Sequence, residues 1–167
     1  MAVTPQPLPA WSLLGRYAER GDYTDCFVTD IPGEFSHEEY VAAFYTTWLF
    51  WLERQLLRLV RKPSTDDEAW QLAQGRREAF AAWTVEARAP NQLLLCDVLG
   101  NTRSWLMAEP LPGGGVTRLY FGSAVIRRAD RKSGGRRMRA RFRALLGFHR
   151  RYSRALLGAA KDRLSVS

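Results

Sequence analysis

The segment DYTDCFVT, from Asp22 to Thr29, alternates with a period of two, placing Tyr23, Asp25 and Phe27 on one side and Thr24, Cys26 and Val28 on the other. That spacing predicts a first strand, ended by Pro32-Gly33. Ser36 followed by Glu39 has the form of a capping box, and Val41, Phe44, Trp48, Leu52, Leu56 and Leu59 then recur at helical spacing. The stretch FYTTWLFWL is apolar on nearly all sides, which suits either a helix wedged between layers or a break at Thr46-Thr47 with Thr47 capping a second helix. Lys62-Pro63-Ser64 ends this element. Ser64 or Thr65 ahead of Asp66, Asp67 and Glu68 opens a short helix to about Arg77, its acids beside the positive end of the helix dipole.

The pattern then changes to sheet. Phe80–Arg88, Leu93–Leu99, Thr102–Glu109 and Val116–Arg127 are rich in β-branched and aromatic residues, divided by Pro90-Asn91, Gly100-Asn101 and PLPGGG. These divisions are too short for crossover helices, so the strands are antiparallel. Residues from about Arg136 to Arg163 form one long final helix, with Gly134-Gly135 before it and no proline within it. Ahead of the first strand, Pro5, Pro7 and Pro9 mark residues 1–21 as a proline-containing arm with a short helix from Trp11 to Glu19. The expected fold class is therefore α+β: about five antiparallel strands packed against a long C-terminal helix, with two or three helices between strands one and two. Residues 22–167 would form the single domain.

Turn geometry extends the argument to side chains. A two-residue turn at Gly100-Asn101 pairs Val98 with Arg103, Cys96 with Trp105 and Leu94 with Met107, and one at Pro90-Asn91 pairs Val85 with Cys96 and Trp83 with Val98. One face then carries Trp83, Val85, Ala87, Leu94, Cys96, Val98, Trp105 and Met107, with Arg103 as its single charge, and is expected to turn inward. The other carries Thr84, Glu86, Arg88, Asp97 and Ser104 among leucines, and is expected to be partly solvated. One extra residue would exchange the faces beyond it.

On the final helix Met138, Phe142, Leu145, His149, Tyr152, Leu156 and Ala159 form an apolar stripe, with Arg139, Arg143, Arg150 and Arg154 in a line beside it. His149 on that stripe is either a hydrogen-bonded core residue or, with Tyr152 one turn on and Arg103 on the facing sheet, a polar group at the bottom of an apolar cavity. Arg103 requires a partner, either a carboxylate such as Asp25 or Glu53 or a ligand.

Composition adds an asymmetry. The 167 residues carry a net charge of +8, but residues 127–154 hold 12 Lys/Arg against Asp130 alone, a net +11 that leaves the remainder at −3. Such a segment is either a solvated face or one that attracts anionic surfaces through Arg139, Arg143, Arg150 and Arg154. With 46% hydrophobic residues the chain is of globular composition, without an apolar run long enough to span a membrane or a leader-like start, which suggests a cytoplasmic protein. Cys26 and Cys96 lack metal-ligand spacing and read as buried thiols. The glycines at 113–115 are not followed by Lys-Ser/Thr, and GxSxG and HExxH are missing, so neither a cofactor nor a metal is expected. His37, in the first turn of its helix beside Glu38, reads as solvated. The aromatics lie at core spacing, which argues against nucleic acid.

The segments DYTDCF, LERQLLRLV, LLLCDVLGNTRSWLM, TRLYFGSAV and FRALLGFHRRYSRALL together cover most of residues 22–160. They resemble an uncharacterised bacterial branch of the START-like superfamily (SRPBCC, helix-grip), which includes polyketide cyclases and lipid carriers. The resemblance implies a ligand cavity between sheet and C-terminal helix. Trp83, Cys96, Arg103, Trp105, Phe142, His149 and Tyr152 are the residues expected to line it, and a small apolar or amphipathic molecule is the expected occupant. A cyclase- or dehydratase-type enzyme with His149 as general base, its developing enolate stabilised by Tyr152 or Arg103, is the alternative, and an arginine-stripe interaction protein is a third.

Overall fold

Ser36 and Thr65 each open a helix by satisfying two backbone donors at once. The Ser36 hydroxyl accepts from Glu39 N–H while the Glu39 carboxylate accepts from Ser36 N–H, and Thr65 and Glu68 repeat the exchange. In the computed structural model of the chain the described residues are 2–48, 50, 64–126 and 136–166, the stretch 136–149 by its backbone alone. The helices are α1 (Gly15–Glu19), α2 (His37–Tyr45), α3 (Asp66–Ala73) and α4 (Arg136–Leu164). The strands are β1 (Thr4–Pro5), β2 (Tyr23–Pro32), β3 (Ala79–Phe80), β4 (Trp83–Ala89), β5 (Gln92–Asp97), β6 (Thr102–Pro110) and β7 (Val116–Val125). Leu52, Leu56 and Leu59 of the expected helical row lie outside the described residues. Thr47 Oγ1 accepts from Phe50 N–H at 3.2 Å, the bond expected of a second cap after a break. No helix among the described residues is long and apolar enough to cross a membrane.

The protein is α+β, with one antiparallel sheet in the order β1-β2-β7-β6-β5-β4-β3. Seven strands replace the expected five, and both additions are two-residue pieces. Thr4–Pro5 pairs with Val28 and Phe27 at the sheet edge, where a proline's missing N–H costs no ladder bond. The single strand expected over Phe80–Arg88 divides because Ala81 takes a left-handed conformation, with φ of 51°.

Both faces of the sheet are covered. On one, Phe27, Ile31, Leu93, Leu106 and Phe121 pack against α2, α3 and the end of α4, whose Leu156, Leu157, Ala160 and Leu164 are buried. On the other, Cys26, Leu94, Trp105, Met107 and Tyr120 are covered by Leu14 and Tyr17 from the N-terminal segment. The buried stripe of α4 is displaced from the expected one: Ser153 and Leu157 are buried, whereas Ala159 is only half-buried.

The expected faces need correction. The β5–β6 turn spans four residues, pairing Cys96 with Arg103 and Leu94 with Trp105. That is a shift of two from the expected register, which leaves every face unchanged. The two-residue turn at Pro90-Asn91 is present, pairing Ala89 with Gln92, but the register slips by one between Val85 and Ala87, a bulge at Glu86. Trp83 and Val85 therefore change sides and join the helix-covered layer. Cys96, Arg103, Trp105 and Met107 stay together but face α1, away from α4. The face expected to be partly solvated is instead core, because Leu93, Leu95 and Leu106 share it with Ser104.

Candidate functional site

The strongest candidate is a hollow of about 200 Å³ between the sheet and the helices. From α2 and just beyond it come Phe44, Tyr45 and Phe50, with the Tyr45 and Phe50 rings edge-to-face at 4.8 Å and Phe44 4.9 Å from Phe121. Tyr152, Ser153 and Leu156 close it from α4. The sheet contributes Trp83, Thr102, Ser104, Phe121 and Ser123. Antiparallel pairing sets Ser104 directly opposite Ser123, two hydroxyls side by side on a face otherwise made of Leu106, Leu119 and Phe121.

These hydroxyls are tied into the fold. Asp25, opposite Ser123 on β2, accepts at Oδ1 from Ser123 Oγ at 2.5 Å and from Ser123 N–H at 3.1 Å, and at Oδ2 from Tyr23 Oη at 3.1 Å. Burial, reinforced by the Asp25 charge, pushes the Tyr23 phenol up to about 12. Tyr45 Oη lies 3.4 Å from Ser104 Oγ. Two polar atoms of the wall differ from these. Trp83 Nε1 and Ser153 Oγ are buried and have no hydrogen-bond partner among the described residues.

No protein-family model, curated protein or solved structure matches this chain.

Of the residues expected at the site, the structure brings Trp83 and Tyr152 to the hollow. Arg103 borders it, but its guanidinium is committed elsewhere. Nε donates to Tyr17 Oη at 2.8 Å and pairs with Glu86, Nη1 donates to the Gly100 and Thr102 carbonyls, and the group lies 5.0 Å from the centre of the Tyr17 ring. Its carboxylate is thus Glu86, neither Asp25 nor Glu53, and the bulge is what places Glu86 on that face. Burial, with the bond to Glu86, raises the Tyr17 phenol.

Trp105 is a correction outright. It is fully buried on the α1 side, its Nε1 donating at 2.9 Å to Gln92 Oε1, which also accepts from Leu13 N–H. Cys96 is on the same side, its Sγ donating to the Asp97 carbonyl, and burial raises its thiol. Cys26 is buried beside Trp105 and pushed up to about 12. The side chains of Phe142, His149, Arg139 and Arg143 lie outside the described residues. Arg150 and Arg154 are exposed, and Arg154 Nη2 donates to the Val3 carbonyl. His37 is half-buried and not fully solvated: its Nε2–H donates to the Leu106 carbonyl at 3.3 Å, and desolvation lowers its pKa to about 4.

The sequence reading missed Ser104, Ser123 and Ser153. The signal was present in the first two, a polar residue at matching positions of adjacent strands on an otherwise apolar face.

Proposed function

We propose that this chain binds a small, chiefly apolar molecule in the hollow between sheet and C-terminal helix, in a helix-grip arrangement like that of START-like ligand carriers. One observation carries the reading: a hollow of about 200 Å³ remains between the sheet and the helices, walled by Phe44, Phe50, Phe121 and Leu156. Close packing would be expected to fill such a space in a layer that serves only as core. A guest that covers the aromatic walls gains affinity at about 25 cal/mol per Å² of apolar surface covered. The antiparallel sheet with α4 laid against it supports the same reading, since it leaves the hollow where two layers meet.

Native mass spectrometry of the protein purified from its source under mild conditions tests this. The expected spectrum holds a small noncovalent adduct that is lost in Ser153→Leu, whose longer side chain occupies the hollow. Bare protein from the source, together with no change in Ser153→Leu on adding small aromatic compounds, contradicts it.

A further inference from the structure

Residues 2–14 pass around the β2 edge of the sheet and touch both of its faces. Val3 packs against the helix-covered layer, and its carbonyl accepts from Arg154 Nη2 of α4 at 3.1 Å. Leu8, Leu13 and Leu14 lie on the other face, with Cys26, Val28 and Trp105. Between these two anchorages the chain runs along β2. Thr4 and Pro5 stand opposite Val28 and Phe27, and Gln6 N–H donates to the Cys26 carbonyl at 3.0 Å.

That bond fixes which way each residue faces. In an antiparallel pair, neighbouring residues direct their N–H and C=O groups to alternate sides, so Thr4 and Gln6 face β2 while Pro5 turns its nitrogen outward. The outer side of the arm therefore lacks a donor at Pro5, and Pro7, also exposed, repeats the spacing. By the same alternation Cys26 and Val28 direct their backbone groups toward the arm. β2 is a ten-residue strand, of the kind that pairs with another chain when its edge is open.

The opposite edge is closed by different means. There the carbonyls of Arg77 and Ala79 accept from Arg88 Nη2 and Arg77 Nε, side chains rooted in that edge and unable to leave it. The cover on β2 is instead a separate segment, held by a two-residue pairing in which both Thr4 and Pro5 are exposed. Such a segment opens at lower cost than the sheet beneath it.

We propose that residues 2–9 are a releasable cover: seated, they keep the β2 edge from a second copy of this chain, and unseated, they leave it open to antiparallel pairing with the same edge of another copy.

Val3→Asp, which sets a charge against the helix-covered layer, should unseat the arm. Val3→Ser combined with Arg154→Ala does so more gently, should the first variant fail to fold. Residue-resolved hydrogen exchange and sedimentation velocity of the whole protein are followed over a concentration series. At the lowest concentration the Gln6, Cys26 and Val28 amides should exchange about tenfold faster than in the parent, the worth of one displaced apolar anchor. As concentration rises the variant should sediment as a dimer, and Cys26 and Val28 should regain protection while Gln6 does not. In the parent, protection at these amides should be independent of concentration. Exchange unchanged in both variants shows that the arm is not releasable and overturns the proposal. So does an open arm without self-association, or self-association that leaves the Cys26 and Val28 amides exchanging.

Discussion

Arg103 donates through Nε to the phenol oxygen of Tyr17 at 2.8 Å, joining β6 to α1 on the sheet face opposite the one that Leu156 and Leu157 of α4 cover. The phenol in turn donates to Glu86 Oε1 at 2.5 Å, so one hydroxyl sits between a cation and an anion. This fixes the N-terminal segment on the sheet. Tyr17→Phe should cost about 1–2 kcal/mol in urea unfolding, and Arg103→Ala, which leaves Glu86 without its inner cation, about 2–4 kcal/mol. Tyr17→Phe, whose ring does not line the hollow, should leave its occupancy unchanged. A small-molecule adduct lost in Tyr17→Phe, with the fold intact, would show that the two faces of the sheet are not independent.

A second expectation concerns Gly122, which pairs with Trp105 on the neighbouring strand. A Cβ here would stand 2.9 Å from Trp105 Cε3 and 3.0 Å from both the Asp25 carbonyl and Leu14 Cδ2. The indole occupies the space that the glycine leaves. Gly122→Ala should therefore destabilise by about 1–3 kcal/mol through overpacking, with an altered tryptophan environment in near-ultraviolet circular dichroism. An unchanged unfolding midpoint would mean that the sheet opens there without cost.

His37 supplies a pH dependence with a definite sign. Its folded pKa of about 4 lies below the ordinary value of 6.5, so the unfolded chain binds the proton more readily. Its contribution is fully present above pH 6.5 and is lost as pH falls toward 4. Between pH 7 and pH 4.5 the protein should lose roughly 2–3 kcal/mol through this residue. His37→Gln, which keeps a donor for the Leu106 carbonyl but cannot titrate, should show a correspondingly flatter profile in urea titrations at the two pH values. Parallel profiles for parent and variant would rule the imidazole out as the source.

The thiols should react in order of burial. Cys96 is half-buried and Cys26 buried, both with raised pKa values, so at pH 7 a maleimide should modify Cys96 slowly and Cys26 only on unfolding. Rapid modification of Cys26 in the folded protein would place it on a surface.

The helix starts were legible because a capping box is a local exchange between residues three apart, and Ser36-Glu39 and Thr65-Glu68 have few other things to do. The alternation of β2 was legible for the same reason. What alternation cannot register is one residue in excess: Glu86 adds it inside a strand, and Trp83 moves from one core layer to the other. Nor could it decide which face α4 covers. Leu93, Leu95 and Leu106 line one side and Leu94, Trp105 and Met107 the other, so no polar face was available to orient the sheet. The proline-containing arm carries the helix that covers Trp105, on the face expected to meet α4. Of the expected site, Trp83 and Tyr152 meet at the hollow, whereas the Arg103 guanidinium, Cys96 and Trp105 belong to the N-terminal layer.

The central claim is that the helix-covered layer contains a space open to a guest. A crystal of the protein held under xenon pressure examines this directly, since xenon enters apolar cavities of this size. The account predicts a xenon atom bounded by Trp83, Phe121 and Leu156, absent from Ser153→Leu crystals. Well-ordered density for side chains filling that volume, with no xenon at any pressure the crystal survives, would contradict it.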